Sequence, residues 1–198
     1  MSNLEIDSLI NEISKLPGFG RKSAQRITLF LLKNKSKALV PLIEKLKTAN
    51  DKIINCEICF NIDTVTPCSL CESNKRDHLT ICVVEDISDL WTLERIGFYK
   101  GLYHILGGNL SAVNGIGIDD LSINKLINRV KDNNIKEVIL ALSTNMEGQT
   151  TSHVIADKLK SLDVEVSKLA QGVPIGGEFQ YLDENTISTA FQSRKSIL

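Results

Sequence analysis

Residues 56 to 71 read CEICFNIDTVTPCSLC and hold four of the five cysteines of the chain as two C-x-x-C pairs. Each pair, Cys56 with Cys59 and Cys68 with Cys71, can present two thiolates from one turn. The eight residues between the pairs allow the two turns to close into a tetrahedron. Four sulfur ligands suit Zn²⁺ and leave no coordination position open for water, so such a metal is structural rather than catalytic. The segment has too little apolar material to fold by burial alone, and its folding should be coupled to metal binding. A redox pair and an iron–sulfur cluster are the alternatives that this spacing leaves open. His78 is a spare ligand, and Cys82, inside the apolar run TICVVE, reads as core.

A second chemistry-bearing stretch is LPGFGRKSAQRITLFLL, residues 16 to 32. Gly18 and Gly20 let the chain turn tightly into a helix whose first N–H groups and dipole favour an anion. Arg21, Lys22 and Arg26 follow within two turns and add charge of the kind that neutralises a phosphate backbone without reading its sequence. Ala24 and Ile27 face the other way. The run Leu16, Pro17, Gly18, Phe19, Gly20 and Ala24 resembles the helix-hairpin-helix motif of DNA-repair proteins. A purely structural turn between helices is the competing reading.

The third candidate is acidic. Glu85 ends the run ICVVE and Glu147 lies just beyond KEVILALS. If both runs are parallel strands, their carboxyl ends form a crevice where such sheets bind ligands. With Asp86 and Asp89 nearby, two or more carboxylates could hold Mg²⁺ for phosphoryl transfer. The region resembles a Toprim domain, in which a first strand ends in an acidic residue and a later strand carries a paired-Asp motif. Here the later segment is Ser143-Thr144-Asn145-Met146-Glu147-Gly148, without that pair, and neither Tyr99, Tyr103 nor Tyr181 is marked as a nucleophile. The expectation is a non-catalytic scaffold in which Glu85 and Glu147 contact a partner. A Mg-dependent, DNA-cleaving or topoisomerase-like activity is the alternative.

Positioning these groups requires three kinds of structure. From Leu4 to Ala49 apolar residues recur at helical spacing and predict three short helices. The cysteine segment predicts turns and short ribbons. From His78 onward, strand-like runs at 79–85, 101–106, 136–143 and 164–169 alternate with helical stretches, which predicts a parallel sheet with helices on its faces. Those helices are expected over Asp86 to Ile96, over Asp119 to Val130, and from near Gly148 through Leu162. Asn185 or Thr186 is expected to cap a last short helix, TISTAFQSR. The fold class is therefore α+β and multi-module. It comprises a helix-hairpin-helix module at 1–52, a four-cysteine zinc module at 53–76, a Toprim-like α/β domain at 77–170 and a C-terminal helical extension at 171–198.

Composition agrees with a folded protein: 42% hydrophobic and 24% charged among 198 residues. No apolar run approaches the roughly 18 residues that span a bilayer, and MSNLEIDSLI lacks the features of a signal peptide. A cytoplasmic protein without membrane contact is expected, and in that reducing compartment clustered cysteines favour metal. The formal charge of −1 hides an asymmetry. Between Ile13 and Ile43 stand seven basic residues and no acidic one, which leaves 16 basic against 24 acidic, or −8, for the rest. A localised basic patch points to an anionic partner, with a solvated helix face as the alternative.

The order of the modules, with LPGFGRKSAQR, ICVVE, GLYHILGG, the Glu147-Gly148 step and Gly-Val-Pro-Ile-Gly-Gly at 172 to 177, resembles the RecR family of bacterial recombination mediators from end to end. Ala112 and Ile118, where proline is expected, and Asn145, Met146 and Gln149 around the Glu-Gly step depart from its pattern. The resemblance implies a non-enzymatic DNA-repair factor that closes as a dimer or tetramer ring on single- and double-stranded DNA. It also implies work with RecO-like and RecF-like proteins to load RecA onto DNA coated by single-strand-binding protein. DNA-contacting residues then map to Lys22 and Arg26, with Arg21 as an addition. The resemblance further implies that the zinc site is structural and that the stretch ending at Asp183 packs on a neighbouring subunit. No Walker A pattern is present, so ATP hydrolysis is not expected.

Overall fold

A computed structural model describes residues 4–194, which divide into two compact units with the boundary between Ile53 and Ile54. The first unit is helical: α1 (Leu4–Ser14), α2 (Arg21–Lys33), a π-helical turn (Lys35–Leu39) and α3 (Val40–Lys52). Ile10 of α1 and Ala24, Thr28 and Leu31 of α2 are its buried residues, spaced so that one stripe of each helix faces inward. Pro41 stands in the first turn of α3, where its missing N–H costs nothing. The apolar positions of α3 do form a face, but Val40, Ile43 and Leu46 are exposed.

The second unit begins with a two-residue antiparallel ribbon, β1 (Ile54–Asn55) with β2 (Ile62–Asp63), and a one-turn helix, α4 (Ser69–Glu72). The α/β part follows as β3 (Asp77–Val84), α5 (Ile87–Ile96), β4 (Gly101–Ile105), α6 (Ile123–Asp132), β5 (Glu137–Leu140), α7 (Met146–Leu159) and β6 (Glu165–Lys168). The four strands form one wholly parallel sheet in the order β4-β3-β5-β6, as the alternation of strand and helix predicts. After β6 come a 3-10 turn (Phe179–Tyr181) and α8 (Glu184–Gln192).

Alternation along β3 divides the core in two. Ile81 and Val83 pack with Val138, Leu140, Leu126, Val130, Ile155 and Leu159 of β5, α6 and α7. Cys82 and Val84 pack with Tyr103, Ile105 and Leu90 of β4 and α5, and there Phe60 and Leu70 of the cysteine segment complete the layer. The central strand is buried on both sides and therefore reads as an uninterrupted apolar run. Cys82 is core, as its surroundings in the sequence imply.

Three local expectations are corrected. The stretch 119–130 breaks into a 3-10 turn (Ile118–Asp120) and α6, with Leu121 buried between them. α7 starts two residues before Gly148 because the Asn145 side chain accepts from the Gly148 N–H at 2.8 Å, and it ends at Leu159, before Leu162. α8 is capped by Asp183, not by Asn185 or Thr186: its carboxylate accepts from the Thr186 N–H at 3.0 Å and the Thr186 hydroxyl at 2.6 Å.

Candidate nucleic-acid interface and candidate metal centre

In the first unit the turn before α2 is closed by the Phe19 N–H donating to Leu16 O at 3.1 Å. Gly18 has φ +81°, a conformation that a Cβ disfavours. Gly20 is the extended N-cap and offers no side chain, so the first N–H groups of α2 have no side-chain cap. A Cβ on Gly18 or Gly20 would meet nothing within 4 Å, which leaves this end of the helix open. Lys22 and Arg26 lie one turn apart on α2, both exposed, and among the described residues neither joins an ion pair. Arg21 differs, because its Nη1 donates to Asn11 Oδ1 on α1 at 3.2 Å. Lys15 is neutralised in space by Glu12 at 2.6 Å, one residue outside the acid-free window. Ala24, fully buried, faces the core of the unit as expected.

In the second unit the four cysteines come together. Their sulfurs all lie within 4.8 Å of one another, with Cys56 to Cys71 at 4.0 Å and Cys59 to Cys68 at 3.5 Å. A tetrahedron with bonds of about 2.3 Å has edges of about 3.8 Å, so the set fits Zn²⁺. Cys56, Cys59 and Cys68 are buried and Cys71 is partly exposed. The first knuckle is shaped by the Phe60 N–H donating to Cys56 O at 2.9 Å, with Phe60 at φ +67°. The second is held by Asp63, whose carboxylate accepts from the Ser69 N–H at 2.9 Å and the Ser69 hydroxyl at 2.8 Å. The Cys68 N–H points at Cys56 Sγ at 3.3 Å. Hydrogen bonds to Cys68 and Cys71, then burial, push Cys59 up, while bonds from Cys59 and Cys71 push Cys68 down. His78 stays outside the cluster, with Nε2 3.0 Å from Ser73 O.

The crevice at the carboxyl ends of β3 and β5 is built from Glu85, Asn109, Ser143 and the start of α7. Glu85 accepts from the Ser143 N–H. Burial pushes its carboxyl up, but bonds from Asn109 and Ser143 outweigh that and hold it below the ordinary glutamate range. The Ser143 hydroxyl donates to Asn145 Oδ1 at 2.8 Å and accepts from Asn109 Nδ2 at 3.3 Å. Gly148 is fixed by close approach, since a Cβ there would overlap the Ser143 carbonyl. Glu147 is half-buried in the first turn of α7. Asp86 and Asp89 are engaged as the two halves of a capping box on α5. Tyr99 donates to Leu102 O at 3.0 Å and Tyr103 is buried in β4, so both are architectural.

Two buried basic residues, His104 and Arg129, belong to none of the candidate sites read from the sequence. His104 of β4 is fully buried, with Nε2 2.9 Å from the Ser122 hydroxyl. That hydroxyl donates to Ile105 O at 2.6 Å, so Nε2 carries the proton and Nδ1 is left without a partner. Arg129 of α6 is 8% exposed and reaches Tyr103 O and Cys71. The signal was present: Ile123, Leu126 and Val130 mark the buried stripe of α6, and Arg129 is a charge standing on it.

Residues 6–50 match the family described as "RecR, helix-hairpin-helix", residues 80–170 the Toprim domain, and residues 172–195 "RecR, C-terminal". The chain is 47% identical over 197 residues to the Recombination protein RecR of Rhizorhabdus wittichii, covering 100% of both chains. It is 49% identical over 193 residues to that of Rhizobium etli, covering 98% of this chain and 96% of the relative. With the Recombination protein RecR of Erythrobacter litoralis it shares 44% over 197 residues, again with full coverage of both. Among the described residues no helix is long and apolar enough to cross a membrane.

Proposed function

Because the chain belongs to the RecR family of recombination proteins, we propose that it is a DNA-binding recombination mediator whose DNA contacts are made by α2. The observation that carries this reading is the open glycine turn at Gly18 and Gly20 leading into a helix with Lys22 and Arg26 exposed on adjacent turns and, among the described residues, in no ion pair. Uncapped N–H groups and two cations on one helix end suit phosphate oxygens on either single- or double-stranded DNA. Arg21 contributes less, being tied to Asn11. The four cysteines hold a structural Zn²⁺ and take no part in chemistry.

One such patch binds weakly, so the active form is a homo-oligomeric ring or clamp, a dimer or tetramer, in which several copies of α2 act together. The exposed apolar face of α3 and the exposed Ile175, Phe179 and Tyr181 of the C-terminal segment support self-association. The working segments are 1–52 for DNA, 53–76 for zinc, 77–170 for partner contact and 171–198 for oligomerisation. Glu85 and Glu147 present their carboxylates to a RecO-like or RecF-like protein, and the assembly, working in the cytoplasm, helps RecA displace single-strand-binding protein. No catalytic step is assigned.

The test is a salt titration of binding to a labelled single-strand/duplex junction, with and without Mg²⁺, comparing the wild type with Lys22→Ala/Arg26→Ala. Loss of two phosphate contacts should lower the slope of log K against log salt by about 2, with the DNA intact. An unchanged slope removes α2 from the interface. Mg²⁺-dependent cleavage of the DNA would replace this reading with a Toprim enzyme.

A further inference from the structure

We propose that Arg129 is the counter-charge of the four-cysteine metal site, a positioning residue through which the sheet domain tunes metal affinity; this rests on the zinc reading above. Four thiolates around Zn²⁺ carry a net charge of −2, and burying such a charge is costly unless hydrogen bonds or a cation offset it. Three of the four cysteines are buried, and Arg129 Nη2 lies 4.0 Å from Sγ of the fourth, Cys71. The other arm of the guanidinium, Nη1, donates to Tyr103 O on β4 at 2.6 Å, which fixes its direction.

The arginine itself poses the matching problem. It is a permanent charge, 8% exposed, and among the described residues none of the three ion pairs includes it. A buried guanidinium without a carboxylate is strongly unfavourable. Beside it is a cavity of about 460 Å³ whose lining includes Cys71, Arg129, Lys125, His78 and one carboxylate, that of Glu57, which is exposed and outside ion-pair distance. The sulfur cluster is therefore the anionic group that Arg129 faces. A second cation, Lys125, also from α6, sits 4.7 Å from the ring centre of Phe60 in the first knuckle, so α6 presents positive charge along this side of the module. The metal site and α6 each neutralise what would be a buried, uncompensated charge on the other.

The experiment uses the full chain as wild type, Arg129→Gln and Arg129→Lys. Bound Zn²⁺ is counted first, then affinity is measured by competition with a chromophoric chelator, and Co²⁺ is substituted to read the thiolate-to-metal charge-transfer band. Wild type that binds no Zn²⁺ overturns the zinc reading itself. With Zn²⁺ bound, Arg129→Gln should weaken affinity about 10- to 100-fold and shift the Co²⁺ band, while Arg129→Lys, which keeps the charge, stays within about fivefold of wild type. Equal affinity in the Gln variant, or equal losses in Gln and Lys, would assign Arg129 to packing against Tyr103 and overturn the inference. If the Gln variant does not fold, the Lys variant decides: a loss of about tenfold or more counts against the counter-charge.

Discussion

Buried His104 couples a single side chain to the stability of the second unit. Burial first, and the nearby charge of Arg129 second, push its pKa down to about 3 from the ordinary 6.5. Unfolding restores the ordinary value, so between about pH 6.5 and 3 the unfolded chain binds a proton that the folded chain refuses. Stability is therefore fully present above pH 6.5 and falls as the pH drops, by up to about 1.4 kcal/mol per unit. In urea unfolding between pH 7 and 4.5, His104→Gln should lose about one proton's worth of that slope; parallel slopes in the two proteins would show that His104 is not neutral in the fold. Gly148 makes a harder prediction. A Cβ would overlap the Ser143 carbonyl, a backbone atom that cannot swing aside, so Gly148→Ala should cost about 2 kcal/mol or more. A midpoint unchanged in urea would mean that the start of α7 can slide away from β5.

Among the elements, β4 and β6 are the two edges of the sheet, and β4 is the one that the cysteine module meets. It is an edge strand paired only with β3, and an uncovered parallel edge invites pairing with other chains. The cysteine module covers it: the Ile105 N–H donates to Cys59 O at 2.9 Å, and Phe60 stacks edge-on against His104 with ring centres 5.4 Å apart. Removing Zn²⁺ with a chelator, or substituting Cys59→Ser, should accelerate exchange of the Ile105 amide by about tenfold or more and promote aggregation, while Leu140 in β5 changes less. Equal acceleration at both amides would mean global unfolding rather than loss of the cover.

The sequence anticipated the module but not this duty. Spacing alone identified Cys56, Cys59, Cys68 and Cys71, because metal geometry is written in short local intervals. The alternation of apolar runs identified all four strands, because β3, β4 and β5 carry buried residues and Val166 of β6 packs against the same core. The carboxylate accepting from Ser143, the arginine under Cys71 and the histidine against Ser122 depend on residues 58, 58 and 18 positions apart, which no local pattern records. The cap of α8 was misplaced because Asp183, Asn185 and Thr186 are all good caps, and which one is used depends on the bond back to Thr186.

At the scale of the whole chain, charge is divided by unit. Residues 1–53 hold 10 basic and 5 acidic residues, a net of +5, and residues 54–198 hold 13 and 19, a net of −6. A single +5 unit tethered to a −6 unit attracts DNA only at short range, since about 8 Å of physiological salt screens either charge. The proposed self-association would change the outcome by presenting several basic helices to one strand, which raises effective concentration without any new contact. DNA affinity should then depend on protein concentration through the oligomer equilibrium. Diluting the protein through its dissociation midpoint, measured by sedimentation, should lower apparent affinity for a long duplex by about 10-fold or more, while affinity for a duplex too short to meet two copies of α2 stays constant. If neither duplex responds to dilution, each chain binds by itself, and the clamp gives way to a monomeric DNA-binding protein whose mediator role would have to come from its partners.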